Sequence, residues 1–125
     1  MWADWEFYTT KYLLGDKPDI PEPQFPRRER EARDLINDKN LLKVEIEDPP
    51  DYLKMLVCEI AELIHEGKQA PKPGEAKSES NAGYSYTIQG KTMTEKEFRR
   101  YARSLIADRL FGTPLQNVLV FGGVS

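Results

Sequence analysis

The chain carries one histidine, His65, and one cysteine, Cys58. Both fall on one predicted helix, and these are the residue types from which a nucleophile and its base would most readily be built. Cys58 lies one turn before Glu62, with no second thiol and no histidine at ligand spacing, so it reads as a small core filler. His65 sits in the last turn of that helix, where an imidazole is favoured by the helix dipole without any catalytic role. Zinc needs three or four ligands, and this sequence does not assemble them. Phosphate-cradling glycine loops and nucleophile elbows are also missing, since no G-x-x-x-x-G-K-[ST], G-x-G-x-x-G or G-x-S-x-G occurs. The expectation is a protein that is not an enzyme and uses no cofactor.

A second candidate is cationic. Lys91, Lys96, Arg99, Arg100, Arg103 and Arg109 outnumber Glu95, Glu97 and Asp108 along the last long predicted helix. Three readings stay open: a solvated face, a surface docking against acidic groups of a neighbour, or a contact with DNA phosphate. The last would make the chain a small DNA-binding regulator, the alternative function. Its formal net charge of −3 argues against a protein whose main task is gripping nucleic acid.

The third candidate is apolar. From Leu110 to Ser125 there is no Lys, Arg, Asp or Glu in a chain that is 31% charged. Val118, Leu119, Val120 and Phe121 form an uncharged, partly β-branched window of the kind that seeks a strand edge. Burying those four side chains is worth on the order of 6–10 kcal/mol at about 1.5–3 kcal/mol each. Folded back, the tail would add a strand to its own domain. Reaching out, it would pair with another chain's edge. The Gly112-Thr113-Pro114 break and Gly122-Gly123 favour an extended arm over 112–125, with these four residues as its partner-binding surface.

The elements that must position these groups follow from periodicity. Asp4 can cap an N-terminal aromatic helix, within 1–15, whose Trp5, Tyr8 and Tyr12 recur at i, i+3 and i+7 before Gly15. That stripe is expected against the domain's own core or against another subunit. Pro18, Pro21, Pro23 and Pro26 delay the next helix until residues 22–25, and it runs to about Asn37. Along it, Arg27 with Glu31, Glu29 with Arg33 and Arg30 with Asp34 are spaced for i,i+4 pairing on a solvated face. Phe25, Ala32, Leu35 and Ile36 make its apolar seam. Leu42, Val44 and Ile46 alternate with Lys43, Glu45 and Glu47, which predicts a short strand. Leu53, Leu56, Val57, Ile60, Ala61, Leu63 and Ile64 give the strongest pattern, a central helix from about Pro49 to Glu66 stopped by Gly67.

Residues 67–83 offer almost nothing to bury and read as a mobile loop. Tyr84, Tyr86 and Ile88, then Gln89-Gly90, Thr92 and Met93, predict a hairpin with a glycine turn. Thr94-Glu95-Lys96-Glu97 is a capping box and starts the last helix, with Phe98, Tyr101, Ala102, Leu105, Ile106 and Leu110 inward. With 125 residues and 39% apolar content, the chain should form one domain with a thin core. The predicted fold class is mainly α: a bundle of three to four helices with a short β-hairpin and an extended C-terminal arm. Met1-Trp2-Ala3-Asp4 does not begin a signal peptide, no window approaches a membrane span, and one cysteine points to no oxidising compartment, so cytosolic synthesis is expected.

These pieces resemble the head-to-tail connector (adaptor) proteins of tailed bacteriophages and prophages, the group containing the HK97-type and SPP1-type connectors. Trp5-Glu6-Phe7-Tyr8 with Tyr12 resembles the family's opening aromatic helix, and 57–64 its central helix. Ser78-Glu79-Ser80-Asn81-Ala82-Gly83-Tyr84-Ser85-Tyr86 is similar to the family's "SE(S/N)xxGYSVxY" stretch. Leu119 to Val124 resembles its "LLYRGV", with Gly122 in place of Arg. The resemblance implies a structural virion protein of the head–tail neck, made in the bacterial host cytoplasm. It would form a homo-oligomeric ring, a dodecamer by the family pattern, beneath the portal protein. That ring would extend the DNA channel without specific DNA binding and offer a platform to stopper or tail-completion proteins, with no membrane involved. On that reading Val118, Leu119, Val120 and Phe121 meet the portal, while Tyr84, Tyr86, Arg99, Arg100 and Arg103 lie between subunits.

Overall fold

The computed structural model describes residues 1–40, 44–68 and 85–120. Helix α1, Trp5–Phe7, is capped by Asp4, whose carboxylate accepts the Phe7 N–H at 2.8 Å, and it widens into a π-helical turn over Tyr8–Tyr12. The turn ends where Leu14 and Gly15 take positive φ, 54° and 89°. A 3-10 turn, Glu22–Gln24, leads into α2, Phe25–Ile36. Helix α3 is Asp51–Gly67 and α4 is Glu95–Leu110. Between them β1, Ser85–Ile88, and β2, Lys91–Thr94, pair antiparallel with Ser85 opposite Thr94 and Ile88 opposite Lys91. A last turn of helix, α5, spans Gln116–Leu119. The mainly helical fold with a small hairpin is therefore as the periodicity predicts.

The core lies around α3, whose Leu53, Val57, Cys58, Ile60 and Ala61 are fully buried. Helix α2 covers one side of it with Phe25, Ala32 and Ile36, and β1 closes the end near Gly67. The aromatic stripe of α1 packs onto its own domain: Tyr8 stacks on Phe25 with centroids 4.8 Å apart, and Trp5 meets the same ring edge-on. Both bonds of the capping box form, Glu97 N–H to Thr94 Oγ1 at 3.1 Å and Thr94 N–H to Glu97 Oε1 at 2.9 Å, so α4 begins where its sequence says.

Four expectations are corrected. No strand forms over 44–47, and Leu42 lies outside the described residues. There the Asn40 side chain takes the part of a neighbouring strand, accepting the Val44 N–H at 3.0 Å and donating to the Val44 carbonyl at 2.8 Å. Glu29 is not on a solvated face: it is fully buried, and its Oε2 accepts the N–H groups of Trp2 and Ala3 while Oε1 accepts from Arg33 Nε. Arg28 rather than Arg27 pairs with Glu31.

The fourth concerns the tail. Residues 116–119 form a helical turn, not an extended strand, and Leu119 is buried in its own domain at 1% exposure. A strand needs a sheet edge, whereas a helical turn satisfies its own backbone, as in the bonds from Leu119 and Val120 N–H to the Leu115 and Gln116 carbonyls at 2.9 Å. Of the loop expected over 67–83, Gly67 belongs to α3 and 69–83 lie outside the described residues, as do Tyr84 and the arm residues from Phe121 onward.

Candidate functional site

The residues singled out for chemistry are occupied in holding the fold. Cys58 is buried, and its thiol is pushed up to about 12 by burial and by the nearby Glu62 carboxylate, which keeps it protonated and unreactive. His65 is buried near the end of α3 and accepts at Nδ1 from Arg28 Nε at 3.2 Å. Burial first, and the Arg28 charge second, hold this imidazole below its usual pKa, so it is neutral and fixed in one tautomer. No three His, Cys, Asp or Glu side chains are placed to hold one metal ion among the described residues.

Half of the cationic face is committed to carboxylates of the same chain. Arg109 grips Glu59 of α3 through two bonds, 2.9 and 2.8 Å, which raise its own pKa. Arg103 pairs with Asp38, and Arg99 lies 3.5 Å from Glu95. Of the three arginines expected between subunits, Arg100 alone is exposed with no hydrogen-bond or ion-pair partner among the described residues. Tyr86 is not a surface contact either. It is 7% exposed and stacks on Phe98, rings 4.1 Å apart and 7° from parallel, because β1 faces α4 and that alternation turns Tyr86 inward.

Helix α3 and α4 diverge to leave an open groove of about 570 Å³. Its walls carry Asp19, Glu62 and Glu66, and its apolar side is Leu63, Tyr101 and Leu105. Glu59, Glu62 and Glu66 stand at i, i+3 and i+7 of α3, which stacks three carboxylates along one edge of that helix. Glu62 is tied down by the Tyr8 hydroxyl, which donates to its Oε2 at 2.8 Å and accepts the buried Ile20 N–H at 3.2 Å. Burial and the charges of Asp19 and Glu59 outweigh that bond and hold the Glu62 carboxyl above the usual carboxylate range. Burial and the bond to Glu62 likewise raise the Tyr8 hydroxyl. Glu66 is exposed and accepts the Gln89 N–H at the hairpin turn, 3.0 Å.

On the other flank of α4, Ile36, Ile106, Leu119 and Val120 line a smaller cleft of about 180 Å³, rimmed by Lys39 and Arg103. Compared with known protein families, curated proteins and solved structures, the chain matches none of them.

Sequence reasoning missed the groove and two exposed apolar side chains. The acidic stripe on α3 was there to be read as a helical period of carboxylates. Tyr101, expected inward, is 42% exposed at the groove wall. Phe111 is 77% exposed at the turn after α4, beside Gly112 at φ 80°, and Leu14 is 81% exposed in the turn after α1. Neither carries a periodic signal, because each sits where one helix has stopped and the next has not begun.

Proposed function

We propose that the chain is a structural assembly subunit, the head-to-tail connector of a tailed bacteriophage or prophage neck. It forms a ring beneath the portal, extends the DNA channel and presents a platform to stopper or tail-completion proteins. The observation that carries this reading is the pair of large apolar side chains held in solvent at turns, Phe111 and Leu14. Each is displayed where the backbone takes positive φ at or beside the residue, a conformation that costs free energy at a non-glycine such as Leu14. Exposed apolar side chains, the aromatic Phe111 above all, are the material of protein interfaces.

The charge distribution supports the same reading. Arg99, Arg103 and Arg109 are paired with carboxylates of the same chain, which leaves these three less free to retain phosphate in a channel that DNA must slide through. With Leu119 inside the domain, the portal contact passes from that side chain to the exposed turns. Negative-stain imaging of the cognate portal with and without the chain is the test. A ring of added density beneath the portal, lost with Phe111→Asp in a variant of unchanged helicity, is the expected result; a portal that gains no density from the wild type overturns the reading.

A further inference from the structure

The groove between α3 and α4 has a counterpart on the same molecule. Asp19 and Glu66 are exposed on its walls, and Tyr101 and Leu105 give it an apolar side. Such a groove fits a long cationic side chain, whose methylenes lie on the apolar wall while its head meets the carboxylates. Lys96 and Arg100 stand at i and i+4 of α4, both exposed, and neither has an ion-pair partner among the described residues. At about 100° per residue, this pair points about 160° around the helix axis from Tyr101, Leu105 and Arg109, which line the groove.

We infer that the groove receives the Lys96 and Arg100 ridge of a second copy of this chain. The inference rests on the ring reading and names its subunit contact. Opposite placement decides the symmetry. A groove and a ridge on opposite flanks cannot both be satisfied across one two-fold axis, so each subunit uses its groove on one neighbour and its ridge on the next. Contacts of that type are heterologous and close into a ring when the rotation permits. Charge complementarity of this kind also fixes which neighbour binds where, and it weakens with salt.

The experiment is sedimentation velocity on the purified full chain, with helicity of every variant checked by circular dichroism. The wild type should self-associate, less so at high salt. Lys96→Glu with Arg100→Glu should weaken association at least about tenfold, and so should Asp19→Lys with Glu66→Lys. Mixing the two double variants should restore assembly beyond a dimer, since the intact groove of one meets the intact ridge of the other and the two reversed surfaces meet in turn. Combining all four substitutions in one chain should restore self-association.

A wild type that stays monomeric, double variants that associate like the wild type, or a mixture that associates no better than either variant alone each overturn the inference. Portal imaging separates the two claims. A portal that recruits a chain monomeric in solution keeps the connector reading and removes the groove contact, whereas self-association through the groove with no portal density does the reverse.

Discussion

Replacing Gly67 with alanine places one methyl group where Tyr86 already sits. The added Cβ would lie 2.7 Å from Tyr86 Cδ2, 3.2 Å from Tyr86 Cβ and 3.3 Å from Ile88 Cδ1. The first of these is shorter than carbon atoms tolerate, so something must move. Tyr86 cannot swing away freely, because its ring lies flat on Phe98 at 4.1 Å. The hairpin must therefore lift from the end of α3 or the stack must open. Overpacking of this kind costs about 1–3 kcal/mol, while alanine in place of glycine in a helix returns up to about 1 kcal/mol. A net loss of about 1–2 kcal/mol is expected.

At about 2.1 cal/mol/K per residue, a 125-residue chain should lose about 4 °C in Tm for each kcal/mol. Urea unfolding followed by circular dichroism measures the loss directly. A double-mutant cycle isolates its cause. In a Tyr86→Ala background the 2.7 Å contact is gone, and Gly67→Ala should cost less than it does in the wild type. A Gly67→Ala chain as stable as the wild type, or one equally destabilised with and without Tyr86, would refute the account of how the hairpin is docked.

Two further outcomes follow from the buried polar groups. Tyr8→Phe removes the hydroxyl that bridges Glu62 and the Ile20 N–H and leaves a buried donor unpaired, so urea unfolding should show a loss of about 1–3 kcal/mol. His65 is held below its usual pKa by burial and by Arg28, opposed by Asp19. The unfolded chain therefore takes up that proton first as pH falls, and the contribution is present above about pH 6.5 and lost below it. His65→Asn can retain an acceptor toward Arg28 without titrating, and it should flatten the stability profile between about pH 7 and pH 5; an unchanged slope would remove His65 from the acid response.

What the sequence by itself determined was local. The capping box placed the start of α4, proline and glycine bracketed α3, and alternation around Gln89-Gly90 set the hairpin, because each signal is confined to a few neighbouring residues and their own backbone bonds. The same logic identified Cys58 as core, and the positions of Arg99, Arg100 and Arg103 on α4. It could not tell which arginine would find a carboxylate, since Asp38 and Glu59 come from elements distant in sequence.

Only the tertiary structure decided the rest. A charged i,i+4 pair reads as solvated until an N-terminal segment arrives over it, and Glu29 is buried because the Trp2 and Ala3 amides need an acceptor there. Alternation at 44–47 reads as a strand, but no neighbouring strand among the described residues reaches it, and the Asn40 amide supplies the bonds instead. The uncharged tail reads as an arm, yet the apolar surface left by α2 and α4 takes Leu119 in as one helical turn. The groove needs two helices, a loop and a hairpin turn to converge. Period and composition report which residues must be hidden, whereas the surface that hides them, and the surface left over, exist only once the chain has closed on itself.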